Sequence, residues 1–534
     1  MESDCQKGVH KHHQNVKLTQ VKNYQFILTQ KELGHGSVNV LRKPKMKEEK
    51  QPLLVGSSHQ DGTTDPPPRS LPRPDLRDSP DASSSLSLSG GQLDSYSPDL
   101  VKHTRPDNSN VNLNPLLSRD LENPTSNFDT MIHLLKGNIG TGILAMPDAF
   151  RNAGLFVGLL GTLGMGLICT HCMHILVKCA HELCRRSQVP ALGFSAVTEK
   201  AFETGPPALR PYSKHAKLVI NVFLVITQLG FCCVYFLFVA ANLQEVVGHY
   251  LVYISVKWFL AMLLIPLILL NCVKSLKYLT PCSLLASLLT VSGLGITFFY
   301  MLQGLPRTSS VKAFASWSQL PLYFGTAIYA FEGIGVVLPL ENNMATPQDF
   351  GGPTGVLNTG MVIVACLYTS VGFFGYLKYG EKVKVGSITL NLPANDILAQ
   401  SVRLTMALAI FLSYGLQFYV PMNILWPPLQ AKLRNEYAIK YGEYALRASL
   451  VTFTFVLALA IPNLSAVISL VGSVSSSTLA LIFPPILELI TFWDSKEEMG
   501  RLQMFKNFAI MVFGVFGFAF GSFVSLSNIL NPNP

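Results

Sequence analysis

The chain has 534 residues, 49% of them hydrophobic and 14% charged, with a mean hydropathy of +0.34. Globular proteins carry about 25% charged residues, so these values exclude a wholly soluble fold and describe a polytopic membrane protein with a soluble appendage. The net charge of +9 does not mark a nucleic-acid binder, because Lys and Arg sit in the amino-terminal tail and in short loops between apolar runs, where membrane topology signals belong.

Residues 1–127 are polar, include Pro66-Pro67-Pro68 and the run Ser83-Ser84-Ser85, and lack sustained apolar periodicity. This composition predicts a disordered tail. It contains no h-region, so it does not read as a cleaved signal peptide. Within it, Glu49-Lys50-Gln51-Pro52-Leu53-Leu54 fits the acidic dileucine sorting pattern. There the carboxylate of Glu49 and the side chains of Leu53 and Leu54 meet the basic patch and apolar pocket of a clathrin adaptor. Such routing leads to late endosomes and lysosomes, and without it the plasma membrane is the destination.

The membrane domain occupies residues 128–534. It holds about eleven apolar segments, near 129–149, 154–178, 217–241, 251–273, 279–302, 319–340, 355–377, 397–424, 444–462, 464–491 and 505–530. Each has the roughly 17–25 residues that cross about 30 Å of hydrocarbon in an all-α protein. The first contains Gly137-Asn138-Ile139-Gly140-Thr141-Gly142, then Pro147. Each glycine costs a helix interior roughly 1 kcal/mol, and the proline removes a backbone donor, so a continuous helix is disfavoured here. The sixth repeats the device with Gly333-Ile334-Gly335 and Pro339. Backbone freed in lipid must be satisfied by protein or a polar cavity, and paired interruptions in corresponding spans point to a ligand site near the bilayer midplane. Interrupted helices in first and sixth place define two inverted repeats of five spans plus one appended helix, the leucine-transporter-type plan.

With the tail cytoplasmic, the loops on its side hold Arg185, Arg186, Arg210, Lys214, Lys217, Lys274, Lys277, Lys432, Arg434, Lys440, Arg447, Lys496, Arg501 and Lys506. The opposite side holds fewer, chiefly Arg151, Lys257, Arg307, Lys312, Lys378, Lys382 and Lys384. The bias sets the tail in the cytoplasm, and an odd span count sets Pro534 across the membrane. Cys169, His171, Cys172 and His174 superficially resemble a zinc cluster, but no second ligand pair lies nearby, so no metal and no cofactor are expected. No nucleophile, base and orienting residue converge in a soluble segment, so the chain does not read as an enzyme. Arg403, with Asp396 nearby, reads as an anchor at the membrane interface.

The run His133-Leu134-Leu135-Lys136-Gly137-Asn138-Ile139-Gly140-Thr141-Gly142-Ile143-Leu144-Ala145-Met146-Pro147, with Asn152-Ala153-Gly154 after it, closely resembles the first membrane helix of proton-coupled amino acid transporters of the amino acid/auxin permease family. Ala330-Phe331-Glu332-Gly333-Ile334-Gly335 and Pro339-Leu340-Glu341-Asn342 resemble that family's sixth helix. The resemblance runs from about Phe128 to the last span and does not cover the tail. It implies an eleven-span carrier, amino terminus cytoplasmic, moving small neutral amino acids such as glycine, alanine and proline with a proton. Ala145-Met146-Pro147-Asp148 departs from the family pattern, being bulkier and more acidic.

A zwitterionic substrate needs donors for its carboxylate and acceptors for its ammonium. A half-helix starting after Gly140 aims the amides of Thr141, Gly142 and Ile143 at the carboxylate. Unwound carbonyls near Gly137, Asn138, Ala330 and Phe331 accept from the ammonium, and Gly333 and Gly335 admit close backbone approach. Helix packing is the competing role for these glycines. His133, one turn before Gly137, has an ordinary pKa of about 6.5, suited to loading and releasing a proton. The resemblance carries proton coupling onto it. Glu332, functional by default because a carboxylate near the midplane is costly, is either the rival carrier or a structural group that holds the unwound backbone together through its amides. Lys136 is either its partner or a snorkelling cation. Two other functions share these features: a sensor that binds amino acid and signals through its tail, and a sodium-coupled carrier of the same fold.

Overall fold

The computed structural model describes residues 115–117, 119, 121, 124–251, 253–274, 276–494 and 500–531, with residues 276–280 described by backbone alone. The sorting sequence of Glu49, Leu53 and Leu54, and most of the tail, lie outside the described residues.

The first span is two helices, α1 (Asn127–Asn138) and α2 (Thr141–Ala153). Ser126 and Asp129 form a reciprocal capping box that starts α1, satisfying two of the donors a helix leaves unpaired at its amino end. There follow α3 (Leu155–Ser187), a short α4 (Phe194–Thr204), α5 (Ser213–Tyr250), α6 (Val256–Asn271) and α7 (Leu276–Leu302). The sixth span is again split, into α8 (Leu320–Ala330) and α9 (Ile334–Asn342). Next come α10 (Val356–Tyr379), α11 (Ile397–Gln430) and α12 (Glu436–Ala460). The tenth span begins as α13 (Leu464–Val471), passes through two π-helical stretches, Gly472–Ser476 and Thr478–Ile482, and ends as α14 (Phe483–Thr491). The last is α15 (Arg501–Leu530).

Among the described residues, nine helices are long and apolar enough to cross a membrane. The split first span and the shorter apolar α6 bring the total to the expected eleven, and among the described residues the only bridge outside helices pairs Thr125 with Met344. The α4 helix has no counterpart in the apolar segmentation because, at 11 residues, it is too short to cross. Both interruptions fall where the glycines stand. The prolines do not cause them, since Pro147 and Pro339 lie inside α2 and α9.

Burial sorts the helices as their sequences demand. Residues 143–146 of α2 have no exposure, and the largest fully buried side chains include Tyr368, Tyr414, Phe331 and Phe418. Outward faces of α3, α6 and α15 instead expose Leu167, Ile265 and Phe523. An apolar belt of that extent is stable only against lipid. We call the face where α1 starts the near face. It also gathers the ends of α3, α9, α11 and α14, whereas Ala153, Leu302, Tyr379 and Leu530 end helices at the far face.

The far face is tied by Asp148, which pairs with Arg151 at 2.6 Å and accepts the Gly386 amide at 3.0 Å. Arg151 also donates to the Val383 carbonyl at 2.7 Å. The acidic departure at Asp148 is therefore structural, holding the end of α2 to the segment before α11. Arg403 is not an interface anchor. It is 1% exposed and donates to the carbonyls of Thr389 at 3.1 Å and Leu392 at 2.5 Å. Asp396 instead caps α11 through the Leu398 amide and accepts from Tyr300.

Candidate functional site

The two interruptions meet at the centre of the molecule. A Cβ on Gly142 would stand 2.7 Å from Ala330 Cα, and one on Gly333 would stand 2.7 Å from Asn138 Oδ1. At both positions glycine is what permits the crossing, because backbone or buried amide leaves no room for a methyl. Gly142 is thus a packing contact. Gly140 differs: its nearest neighbour is the Tyr235 hydroxyl, 3.4 Å from a built Cβ. A Cβ on Gly137 would press on Val336 at 3.3 Å, a tight contact, whereas Gly335 faces Leu224 at an ordinary 3.6 Å.

Each break leaves backbone groups without helical partners. The amides of Thr141, Gly142 and Ile143 open α2 in a buried setting, with the positive end of the helix dipole toward the break. On the carbonyl side, the expected free acceptors are partly taken. The Tyr368 hydroxyl of α10 lies 2.5 Å from the Asn138 carbonyl and 2.9 Å from that of Ala330. One phenol therefore ties together the terminal carbonyls of α1 and α8. Asn138 spends its Nδ2 on the Leu134 carbonyl at 2.8 Å, while its Oδ1 has no hydrogen-bond partner among the described residues. That oxygen, facing Gly333, is a buried acceptor at the junction.

Aromatic side chains pack around the junction. Tyr329 hydrogen-bonds the Thr141 hydroxyl at 2.9 Å and stands edge-on to Phe231 at 4.8 Å. Phe331 packs on Tyr368 at 5.0 Å, and Gln417 of α11 donates to the Tyr235 hydroxyl at 3.2 Å. Tyr235, Tyr329, Tyr368 and Gln417 carry no recognisable motif. They come from four different spans, and only the fold assembles them.

The two titratable candidates sit differently. Glu332, within the second break, is 9% exposed, and its Oε2 has no hydrogen-bond partner among the described residues. His133 lies on an exposed stretch of α1 beside Ile132, away from the packed side of that helix. Lys136 is half-buried and forms no ion pair among the described residues, so the suggested Lys136–Glu332 pair is not formed. Cys169 and Cys172 are buried, and His174 is committed to Asn358 at 2.7 Å.

The near face is closed by a strap preceding α1. Arg119 donates to the Glu341 carbonyl at 2.9 Å, to both Glu341 carboxylate oxygens at 3.1 and 3.2 Å, and to the Pro190 carbonyl at 2.8 Å. His181 takes the same carboxylate at 2.8 Å. Thr125 pairs by backbone with Asn343 and Ala345, and Asn127 and Thr346 both hold the Asp349 carboxylate. Those bonds keep Asp349 below the usual carboxylate range. A cavity of about 660 Å³ beside the strap is lined by His181, Arg185, Gly351 and Phe492 among others. No residue of either break lines it, so it is separate from the junction.

Split helices crossing at glycines, inside a lipid-facing bundle, define a membrane transport protein. Residues 123–527 match the family model described as transmembrane amino acid transporter protein, and the chain belongs to that family. It is 40% identical over 417 residues to the proton-coupled amino acid transporter-like protein pathetic of Drosophila melanogaster, covering 78% of this chain and 88% of that relative. It is 28% identical over 428 residues to the probable amino acid transporter skat-1 of Caenorhabditis elegans, covering 78% and 92% respectively. Among solved structures, a manganese transporter of Eremococcus coleocola aligns with 77% of this chain and 88% of its own, at 12% identity and a TM-score of 0.42.

Proposed function

We propose that the protein is a secondary active transporter that moves small neutral amino acids of the glycine, alanine and proline type together with a proton, by alternating access. The observation carrying this reading is the junction itself. Buried amides opening α2 offer donors to a carboxylate, and the unpartnered Asn138 Oδ1 across from Gly333 offers an acceptor to an ammonium. The enclosing rings of Tyr235, Tyr329, Phe331 and Tyr368 favour a small side chain. The relative in Drosophila named as proton-coupled supports the coupling ion.

Of the two titratable groups, burial at the break favours Glu332 as the proton carrier. A buried carboxylate with an unpartnered oxygen is costly when ionised and is stabilised by taking up a proton. His133, exposed on α1, is the alternative carrier. In this reading the near face is cytoplasmic, in keeping with its excess of Lys and Arg. The Arg119–Glu341 strap then closes the cytoplasmic side, and its release accompanies opening toward the cytoplasm. The acidic dileucine residues Glu49, Leu53 and Leu54 route the protein to late endosomes and lysosomes through an adaptor, where an acidic lumen supplies protons at the far face.

The test is uptake of radiolabelled glycine, alanine and proline into proteoliposomes with and without an imposed pH gradient. Uptake that rises with the gradient supports the proposal. Uptake following sodium identifies a sodium-coupled carrier instead, and saturable binding without flux identifies a sensor. Separately, Leu53→Ala with Leu54→Ala is expected to shift the protein to the cell surface, and unchanged imaging would end the sorting claim.

A further inference from the structure

The tenth span carries the serine run Ser473, Ser475, Ser476 and Ser477, followed by Thr478, all at 6% exposure or less. Serines in membrane helices ordinarily bond back to a carbonyl one turn earlier. Ser475 does so to Val471 at 2.9 Å, Thr478 does so to Val474 at 2.6 Å, and Ser477 does so to Ser473. Ser473 and Ser476 do not: among the described residues the Ser473 hydroxyl has no hydrogen-bond partner, and the Ser476 hydroxyl, bonded to no carbonyl, is left to the Glu332 carboxylate. Both lie in the first π-helical stretch, Gly472–Ser476, a conformation that is rare and concentrates at functional sites.

These two hydroxyls face the sixth span. A Cβ on Gly325 would stand 2.5 Å from Ser473 Oγ, and one on Gly521 of α15 closer still, so this hydroxyl lies between the sixth span and α15. The next residue, Thr326, is 1% exposed with its Oγ1 also unpartnered. Ser476 lies beside the Glu332 carboxylate, whose Oε2 is unpartnered in turn. Toward the far face the seam continues through Ser469, which donates to the Leu322 carbonyl at 3.3 Å and accepts from Ser525 of α15 at 2.9 Å. From the start of α13 to Ser476 is twelve residues, about 18 Å at the rise of an α-helix, which leads from the far face to the membrane interior. Helix packing alone is a poor account of the seam. Gly325, Gly472 and Gly521 already provide the close approach, and unpartnered buried hydroxyls add cost rather than cohesion. Buried polar atoms left over by the protein are where structural water binds.

We propose that the seam between the sixth and tenth spans is a hydrated proton path from the far face to Glu332, with Ser473 and Ser476 as its positioning hydroxyls and Thr326 on its opposite wall. The inference rests on the proton-coupled reading above. A proton entering at the far face passes along hydrogen-bonded water held by these hydroxyls and is received by a Glu332 carboxylate oxygen. No heavy-atom bond forms or breaks, and the positive charge lost from the path is that gained at the carboxyl group.

The experiment uses the full-length protein in proteoliposomes with Ser473→Ala, Ser476→Ala and the double variant. Ser475→Ala, whose hydroxyl is spent on its own helix, is the control. Two rates are read: pH-gradient-driven uptake of labelled alanine, and alanine exchange at equal pH on both sides, which needs substrate binding and movement but no net proton entry. The double variant is expected to lose gradient-driven uptake by about tenfold, the scale of losing a hydrogen bond or two from the path, while keeping exchange within about twofold of the unmodified protein. Ser475→Ala should keep both. Equal loss of both rates in the double variant would assign the serines to packing, and retention of both would remove the path. Absence of gradient-driven uptake in the unmodified protein would instead overturn the coupled reading, and the seam with it.

Discussion

At the level of single residues, the glycines of the first break divide into those that pack tightly and one, Gly140, that meets only a hydroxyl at ordinary contact distance. Gly142→Ala sets a methyl 2.7 Å from the Ala330 backbone, an overpacking that costs about 1–3 kcal/mol. It should lower the melting temperature as well as transport. Gly140→Ala meets only the Tyr235 hydroxyl at 3.4 Å, so it should leave melting nearly unchanged while weakening alanine affinity. Equal melting losses in both would show that Gly140 also packs. Tyr368→Phe leaves two buried carbonyls without their shared donor, a loss of about 1–3 kcal/mol. Exchange should fall along with gradient-driven uptake, because both half-helices lose their tether. Glu332→Gln keeps the shape and removes the titration. It should abolish accumulation against a gradient while substrate binding, read by calorimetry, persists. Accumulation that survives in Glu332→Gln and disappears in His133→Ala would move the carrier role to His133. Gly140, Gly142, Gly333 and Glu332 were legible in the sequence because they stand in a compact motif. Tyr235, Tyr329, Tyr368 and Gln417 were not, since each is an ordinary residue of its own apolar span and acquires a role only through contacts between spans distant in sequence.

At the level of elements, the capped ends decide what can move. Arg119 binds Glu341 with both side chains at most 4% exposed, and removing one partner of a buried pair costs about 3–5 kcal/mol. Arg119→Ala should therefore loosen the strap, raising accessibility of a cysteine placed at Met344, buried against Thr125 of the strap, to a water-soluble thiol reagent. Unchanged labelling would mean that the backbone pairing of Thr125 with Asn343 and Ala345 closes the near face by itself. At the other face, Asp396 caps α11, and the bonds it accepts from Tyr300 and then from the Leu398 amide hold its carboxyl below the usual range. A depressed native value stabilises the fold above the unfolded value of about 3.9 and loses that contribution as pH falls through the lower native value. The melting difference between the protein and Asp396→Ala should thus hold constant from about pH 7 to about pH 5 and shrink only below about pH 4. A difference that disappears by about pH 5 would contradict the assignment. The two breaks were readable from helix chemistry. The π-helical tenth span was not: its serines are unremarkable in composition, and the register change arises where Gly472 packs against Gly325 and Tyr329.

At the level of the whole molecule, eleven spans and two interrupted helices follow from apolar length and glycine placement, the two strongest signals a membrane sequence carries. The strap was hidden because Arg119 lies in a polar segment whose partner, Glu341, is 222 residues away. Arg403 looked like an anchor because its charge and position near a span end suit one, whereas tertiary contacts bury it under carbonyls of the preceding segment. A junction with donors opening α2, an acceptor ending α1 and a buried carboxylate within the second break leads to one central claim, that amino acid and proton cross together. The most direct measurement is simultaneous recording of alanine uptake and internal acidification in proteoliposomes holding a pH-sensitive dye, without sodium. The account predicts that alanine addition acidifies the interior in step with uptake, and that Glu332→Gln abolishes the acidification. Alanine entry with no alanine-dependent acidification would contradict it.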